Sequence, residues 1–354
     1  MKAFGKIDLT EMALLFLVIL GGSIFQGCSD TGHHVEGKSI YYWRTVLKLS
    51  DTERSFLHQN DISTLYLHLF DVRDINDELM PASTLLFRDS IPSGVRIVPV
   101  VFIEPSALNG RAPVDLLAAR IVKRVDDILA GNGYDMPDEL QIDFDWTVSN
   151  RDKYFKILES ARQIMHSRDG QLSTTIRLHQ LTDKLPPVDY GVLMMYNVGN
   201  ITDVKEKNSI LDRNTVQPYM KALSRYELPI VTALPIYSWN IVFSGNEFKA
   251  IAHSVNPKDT TMFLPVDSGL YRCLKYAPLA MAGSRDGSGG RIYPGDVVRH
   301  EFVAPDVLAG VLDDIRQANR KAASHIILYH LDEKSLQQYD PEFLQKLLDG
   351  VYCH

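Results

Sequence analysis

The sequence predicts an α/β fold, a single (β/α)8 barrel of the TIM type with an insertion between strands seven and eight. Three observations predict it. From Ser39 onward, short strand-like apolar runs alternate with stretches of helical apolar spacing, the pattern of a parallel sheet covered by helices. Eight such strands can be picked out, the number that closes a barrel. The chain has 354 residues, 45% of them hydrophobic, which exceeds the ~250 residues of a bare barrel and leaves room for a tail and an insertion.

Taken in order, residues 1–28 read as an export leader, with Lys2 and Lys6 ahead of an apolar run from Met12 to Ile24. Gly21, Gly22 and Ser23 break that run, so it falls short of the ~20 apolar residues of a spanning helix. Its end, Phe25-Gln26-Gly27-Cys28, resembles a bacterial lipobox, in which a small residue precedes the cysteine that is lipidated. Phe25, Gln26, Asp8 and Glu11 depart from the usual pattern, and an uncleaved anchor is the alternative. The resemblance implies a lipid on Cys28 and a place in the cell envelope, outside the cytoplasm and anchored to a membrane. Residues 29–38 form a polar tether. The barrel domain then covers 39–354, with 245–303 as its insertion.

The expected strands are 40–44, 64–70, 96–103, 139–146, 172–178, 191–197, 230–237 and 325–331. Helical spacing marks 51–59, 113–130, 151–166, 215–226 and 305–323, each near a cap or first-turn proline such as Asp51, Asn150, Asn214 or Pro305. A doubly wound open sheet is the alternative, but no GxGxxG follows the first strand to cradle a phosphate. The stretch after Ser244 is too long for a bare loop, and its pieces 261–266 and 297–303 look like strands.

A net charge of -7 leaves no basic surplus to neutralise phosphates, which argues against nucleic acid as a partner. Acids and histidines are scattered without ligand spacing, so neither a metal nor another cofactor is expected. Cys273 and Cys353 fit no zinc or CxxC pattern; they pair with each other or stand as two isolated thiols.

The stretch 140–147 carries the chemistry. Its alternation puts Asp143 and Asp145 on one strand face about 7 Å apart, with Ile142, Phe144 and Trp146 on the other. Two carboxylates so close are costly to desolvate and are tolerated mainly at sites. A solvated strand end capping the next helix is the plainer reading. In a barrel the site lies at the carboxyl ends of the strands, where this chain has Trp43, Glu104, Asp143, Asp145, Arg177, His179, Tyr196, Asn197, Tyr237, Trp239 and Tyr329. That acidic and aromatic set suits a carbohydrate better than an anion, because sugars stack on rings and donate hydroxyls to carboxylates and amides. Core packing is the alternative for each aromatic taken alone.

Residues 142–146, Ile-Asp-Phe-Asp-Trp, resemble the fourth-strand motif Asp-Gly-x-Asp-x-Asp-x-Glu of glycoside hydrolase family 18, the chitinases and endo-N-acetylglucosaminidases. Met194-Met195-Tyr196-Asn197 is similar to that family's sixth-strand motif, and Ala233-Leu234-Pro235-Ile236-Tyr237 resembles its seventh. The family also commonly carries an insertion after the seventh strand. The resemblance implies that Asp143 and Asp145 are the second and third acids of the motif, that Tyr196 and Asn197 hold an acetamido region, and that Tyr237 lines the mouth. It also implies a departure: Thr147 falls where the family keeps its general-acid Glu, with Leu140 and Gln141 at the opening Asp-Gly. A threonine hydroxyl cannot protonate a glycosidic oxygen near neutral pH.

Two expectations follow. One is a glycoside hydrolase in which Asp145, or a carboxyl from elsewhere such as Glu104 or Glu301, donates the proton, with Asp143 raising its neighbour's pKa by like-charge repulsion. The other is a glycan-binding lipoprotein that has lost the acid. Trp43, Glu104, Tyr196, Asn197, Tyr237 and Trp239 are the expected sugar contacts in both.

Overall fold

The structure, a computed structural model, describes residues 37–252, 255–278 and 290–350. The leader with Cys28, the tether up to residue 36, and Cys353 lie outside the described residues. Eight parallel strands close on themselves: β1 (Lys38–Tyr42), β2 (Ile62–Ile75), β3 (Arg96–Ile103), β4 (Glu139–Asp143), β5 (Gln171–Ile176), β6 (Tyr190–Met194), β7 (Ile230–Pro235) and β8 (Ile326–Tyr329). Each pairs with its successor, and β1 pairs with both β2 and β8, so no edge of the barrel is left open. The expected (β/α)8 class is the observed one.

Helices wrap the outside where helical spacing is expected, with α1 (Asp51–Gln59) after β1, α2 (Leu117–Gly131) after β3, α3 (Arg151–His166) after β4 and α4 (Pro305–Ala318) before β8, while α5 (Pro341–Leu348) at the end was not among the expected stretches. Ser50 and Glu53 form a capping box on α1. The helix expected over 215–226 is broken into Arg213–Val216, a 3-10 turn Gln217–Tyr219 and Met220–Leu223. Pro218 explains the break, since it lacks an N–H and disfavours helical backbone in the residue before it.

Two strands differ from expectation in length. β2 runs 14 residues and turns back at Asn76 and Asp77, both at positive φ (57° and 62°), into an antiparallel partner Glu78–Ala82. Asn and Asp tolerate that left-handed turn better than most residues. β4 stops at Asp143, not Trp146. The chain leaves the sheet there because Asn150 Oδ1 takes the Thr147 amide and the backbone turns into α3.

The region between β7 and α4 folds as a five-stranded antiparallel sheet in the spatial order Glu247–Ile251, Ser238–Ser244, Val297–Phe302, Leu270–Cys273, Phe263–Asp267. It begins at Ser238, directly after the seventh strand, and has its own small core of Val242, Ala252, Phe263, Cys273, Ile292 and Val298. Cys273 is a free, buried thiol that donates to the Lys275 carbonyl at 2.9 Å. Among the described residues no helix is long and apolar enough to cross a membrane.

Inside the barrel the packing is partly polar. Ser173 Oγ donates to Glu139 at 2.9 Å, Tyr190 also donates to Glu139, and Tyr41 donates to Gln141 Oε1 at 2.6 Å. Glu139, Gln141, Ser173, Tyr41 and Tyr190 thus each have a partner, without which their burial would cost several kcal/mol. This ladder rises from Glu139 through Gln141 to Asp143, placing an acid at the carboxyl end of β4.

Candidate functional site

Alternation along β4 works as the sequence predicts. Leu140 and Ile142 are buried under the helices, and Phe144 and Trp146 continue that layer beyond the strand, packing on Tyr154 of α3 with ring centroids 4.9 and 5.5 Å away. Gln141 and Asp143 face the interior. The aromatic anchors fix the backbone on either side of Asp145, whose side chain is 46% exposed at the mouth.

The two acids therefore have different surroundings. Asp143 is buried, and its Oδ1 accepts from Thr175 Oγ1 at 2.5 Å and Arg177 Nη2 at 3.1 Å. Asp145 Oδ1 accepts from Gln180 Nε2 at 3.3 Å and lies 3.5 Å from His179 Nε2. Arg177 lies between them in electrostatic terms. Burial works against its charge, but Asp143 first and Asp145 further out outweigh that and hold the guanidinium charged. Arg177, expected at this strand end, thus supplies a cation that offsets repulsion between the two acids. Arg177 Nη1 is buried without a hydrogen-bond partner among the described residues.

Opposite stand three tyrosines. Tyr196 stacks on Tyr329 at 4.6 Å, and Tyr237 meets both edge-on at 6.2 and 5.7 Å. Burial pushes all three phenols up, so each remains a neutral donor at physiological pH. Tyr237 donates to Asn197 Oδ1 at 2.7 Å, and Asn197 adopts φ 54° to present that amide.

Two hollows open here. One, of about 310 Å³, is lined by Asp145, Arg177, Leu178, His179, Met194, Tyr196, Asn197, Val198, Tyr219, Pro105 and Phe102. The other, of about 760 Å³, is lined by Trp43, Arg44, Thr45, Val46, Lys48, His68, Asp71, Arg73, Ser83, Phe102 and Glu104. Phe102 is common to both, so the hollows are neighbours across one ring.

The structure thus gathers Asp143, Asp145, Tyr196, Asn197 and Tyr237 around one end of the barrel. Trp43 and Glu104 belong to the larger hollow, where Trp43 stacks on His68 at 4.5 Å and Glu104 pairs with Arg73. Trp239 packs on Tyr237 and gives its indole N–H to Glu301 at 2.6 Å. Glu301 is buried and also takes Ser209 at 2.7 Å and Arg299 at 2.6 Å, so its role is to hold the insertion to the barrel. Thr147 is exposed in the turn before α3, its hydroxyl bonded to Ser149. Gln180, Tyr219 and Phe102 were missed. Nothing in their local pattern marks them, although Gln180 follows the fifth strand end closely. Among the described residues no group of three or more metal-ligating side chains converges.

The fold defines a class, the closed eight-stranded parallel (β/α)8 barrels. No family model matches the chain, and no curated protein matches it by sequence. Solved structures do match in shape. A chitinase of Chromobacterium violaceum superimposes with TM-score 0.51 and 10% identity over 89% of this chain and 99% of that one. The spore cortex-lytic enzyme SleL of Bacillus megaterium gives 0.50 and 13% over 89% and 75%. Catalytic domain 2 of the Group II chitinase of Ostrinia furnacalis, solved with a chito-oligosaccharide, gives 0.51 and 12% over 88% and 95%.

Proposed function

We propose that this protein takes an N-acetylated oligosaccharide into the barrel mouth and cleaves a glycosidic bond beside Asp145. One observation carries this reading: a hollow at the carboxyl ends of the strands is lined by the half-exposed Asp145 carboxylate, by Arg177, whose Nη1 has no hydrogen-bond partner among the described residues, and by the protonated Tyr196. A buried donor left unpaired costs about 1–3 kcal/mol, and a ligand oxygen at the pocket wall would remove that cost. Tyr196 offers a face for stacking, and Asn197, held by Tyr237, offers a polar contact to the same ring. Similarity in shape to chitinases and a cortex-lytic enzyme supports the substrate class. The hollow beside Trp43 and Glu104 would take further sugar units of the same chain.

A cell-envelope location, with the chain held by a lipid on Cys28, belongs to this reading and rests on the leader pattern. A second reading, binding without cleavage, is favoured by Thr147, which brings no carboxyl to the motif's last position. Calorimetry and reducing-end release with short N-acetylglucosamine oligomers and peptidoglycan fragments test both. Wild type is expected to bind and to release ends. Asp145→Asn should then cut the rate by ~10²-fold or more while changing affinity little. Binding with no release would select the second reading, and neither across a broad panel would discard the carbohydrate reading.

A further inference from the structure

The smaller hollow contains one accessible carboxylate, because Asp143 is buried against Thr175 and Arg177. Glu301 is enclosed by Arg299, Ser209 and Trp239, and Glu104 pairs with Arg73 in the adjoining hollow. A paired-carboxylate mechanism needs a second acid, and none of the residues lining this hollow supplies one. What stands beside Asp145 is an imidazole. His179 sits on the 3-10 turn Leu178–Thr182 that follows β5, its ring 54% exposed and its Nε2 3.5 Å from Asp145 Oδ1. The turn is held in place from below, since Gln180 donates to the Trp146 carbonyl at 3.0 Å and to Asp145 itself.

We propose that His179 and Asp145 are the proton-transfer pair of this mouth, with the imidazole in the part that a carboxylic acid would otherwise play. The proposal rests on the hydrolase reading above. Imidazolium Nε2–H gives its proton to the departing glycosidic oxygen as the anomeric carbon–oxygen bond breaks. The neutral ring then takes a proton from the water whose oxygen bonds to that carbon, so one water is consumed, two hydroxyls form and the pair returns to its starting state. Asp145 stabilises the imidazolium and orients the ring, as an acid beside a catalytic histidine does elsewhere. A separation of 3.5 Å is long for a hydrogen bond, as such contacts often are before a substrate closes the site. The charged and titratable groups facing the ring are Asp145 after β4, Arg177 at the end of β5, and Tyr196 and Tyr219 across the hollow. On its own turn Asp183 is engaged by Arg151.

The test compares wild type with His179→Gln on N-acetylglucosamine oligomers, measuring binding by calorimetry, turnover against pH, and melting temperature. Because the ring is exposed, the variant should melt like wild type. It should lose ~10²-fold or more in kcat with affinity within about threefold, and lose the alkaline limb that a general acid gives the wild-type pH–rate profile. Turnover within about tenfold of wild type with the limb intact would overturn the pair and leave the hydrolase reading standing. Wild type that binds without turnover would also overturn the pair, and wild type that does neither would remove the carbohydrate reading beneath it.

Discussion

Asp189 shows how one buried carboxylate can set the acid limit of the fold. Its side chain is fully buried before β6, yet it accepts from the Leu172 amide at 2.8 Å, Arg162 Nε at 2.9 Å and His166 at 2.9 Å. Burial alone would raise its pKa. The three donors outweigh burial and hold the carboxyl below the ordinary aspartate value. A depressed folded-state pKa stabilises the fold above the unfolded value, about 3.9, and that contribution is lost as pH falls through the lower folded value. Asp71 and Asp296 are lowered in the same direction by His68 and Lys249 and their neighbours. Urea unfolding is therefore expected to show stability falling below about pH 4. Asp189→Asn should cost about 1.5–3 kcal/mol at pH 7 and flatten that fall, and an unchanged acid slope in the variant would refute the assignment.

At the scale of elements, the segment joining β4 to α3 explains what was legible and what was not. Period-two alternation in residues 140–146 assigned Phe144 and Trp146 to the helix side and Asp143 to the interior, and the structure keeps both faces. It could not reveal that the strand ends at Asp143, because the turn is set by Asn150 reaching back to Thr147, a side-chain contact that apolar spacing does not encode. The eight strands and four of the five expected helical stretches were readable for the same reason, since each buries a periodic face, whereas 215–226 is broken at Pro218. Much of the site was not. Arg177 and His179 could be placed at a strand end, but their pairing with Asp143 and Asp145 joins residues 34 positions apart across adjacent strands. The strand pieces 261–266 and 297–303 of the insertion were readable, but its start at Ser238 was hidden because that strand follows β7 almost without a break. Trp146 tests the element directly. Trp146→Ala should cost about 3–5 kcal/mol through the cavity left between Tyr154 and Phe155. It should also weaken sugar binding at Asp145, whereas Trp146→Phe should largely preserve both. Equal loss in the two variants would count against a packing role.

For the whole molecule, the ring of strands that starts at Lys38 closes on itself, and Glu139 within it is engaged by Ser173, Tyr190 and Arg96. The proposed envelope anchor, a lipid on Cys28, lies in the chain ahead of the described residues. Growing cells with a labelled fatty acid should tag wild type and not Cys28→Ala, while a variant starting at Lys38 should fold and melt like the parent. Unlabelled, freely released wild type would sink the anchor.

The salt link between Arg299 and Glu301 has a consequence for how a guest is received. Arg299, almost wholly enclosed, gives its second nitrogen set to the Asp203 and Ile201 carbonyls of the loop that follows Asn197. Glu301 meanwhile grips Ser209 of the same loop and Trp239 beside Tyr237. One jaw of the mouth is thus clamped before any visitor arrives, and its ordering cost is met during folding, not at binding. The opposite jaw, where Trp43 and Glu104 stand over the roomier hollow, carries ties of its own, since Val46 and Leu47 pair with Leu86 and Phe87 and Arg73 holds Glu104, so both sides of the rim are set before a visitor binds.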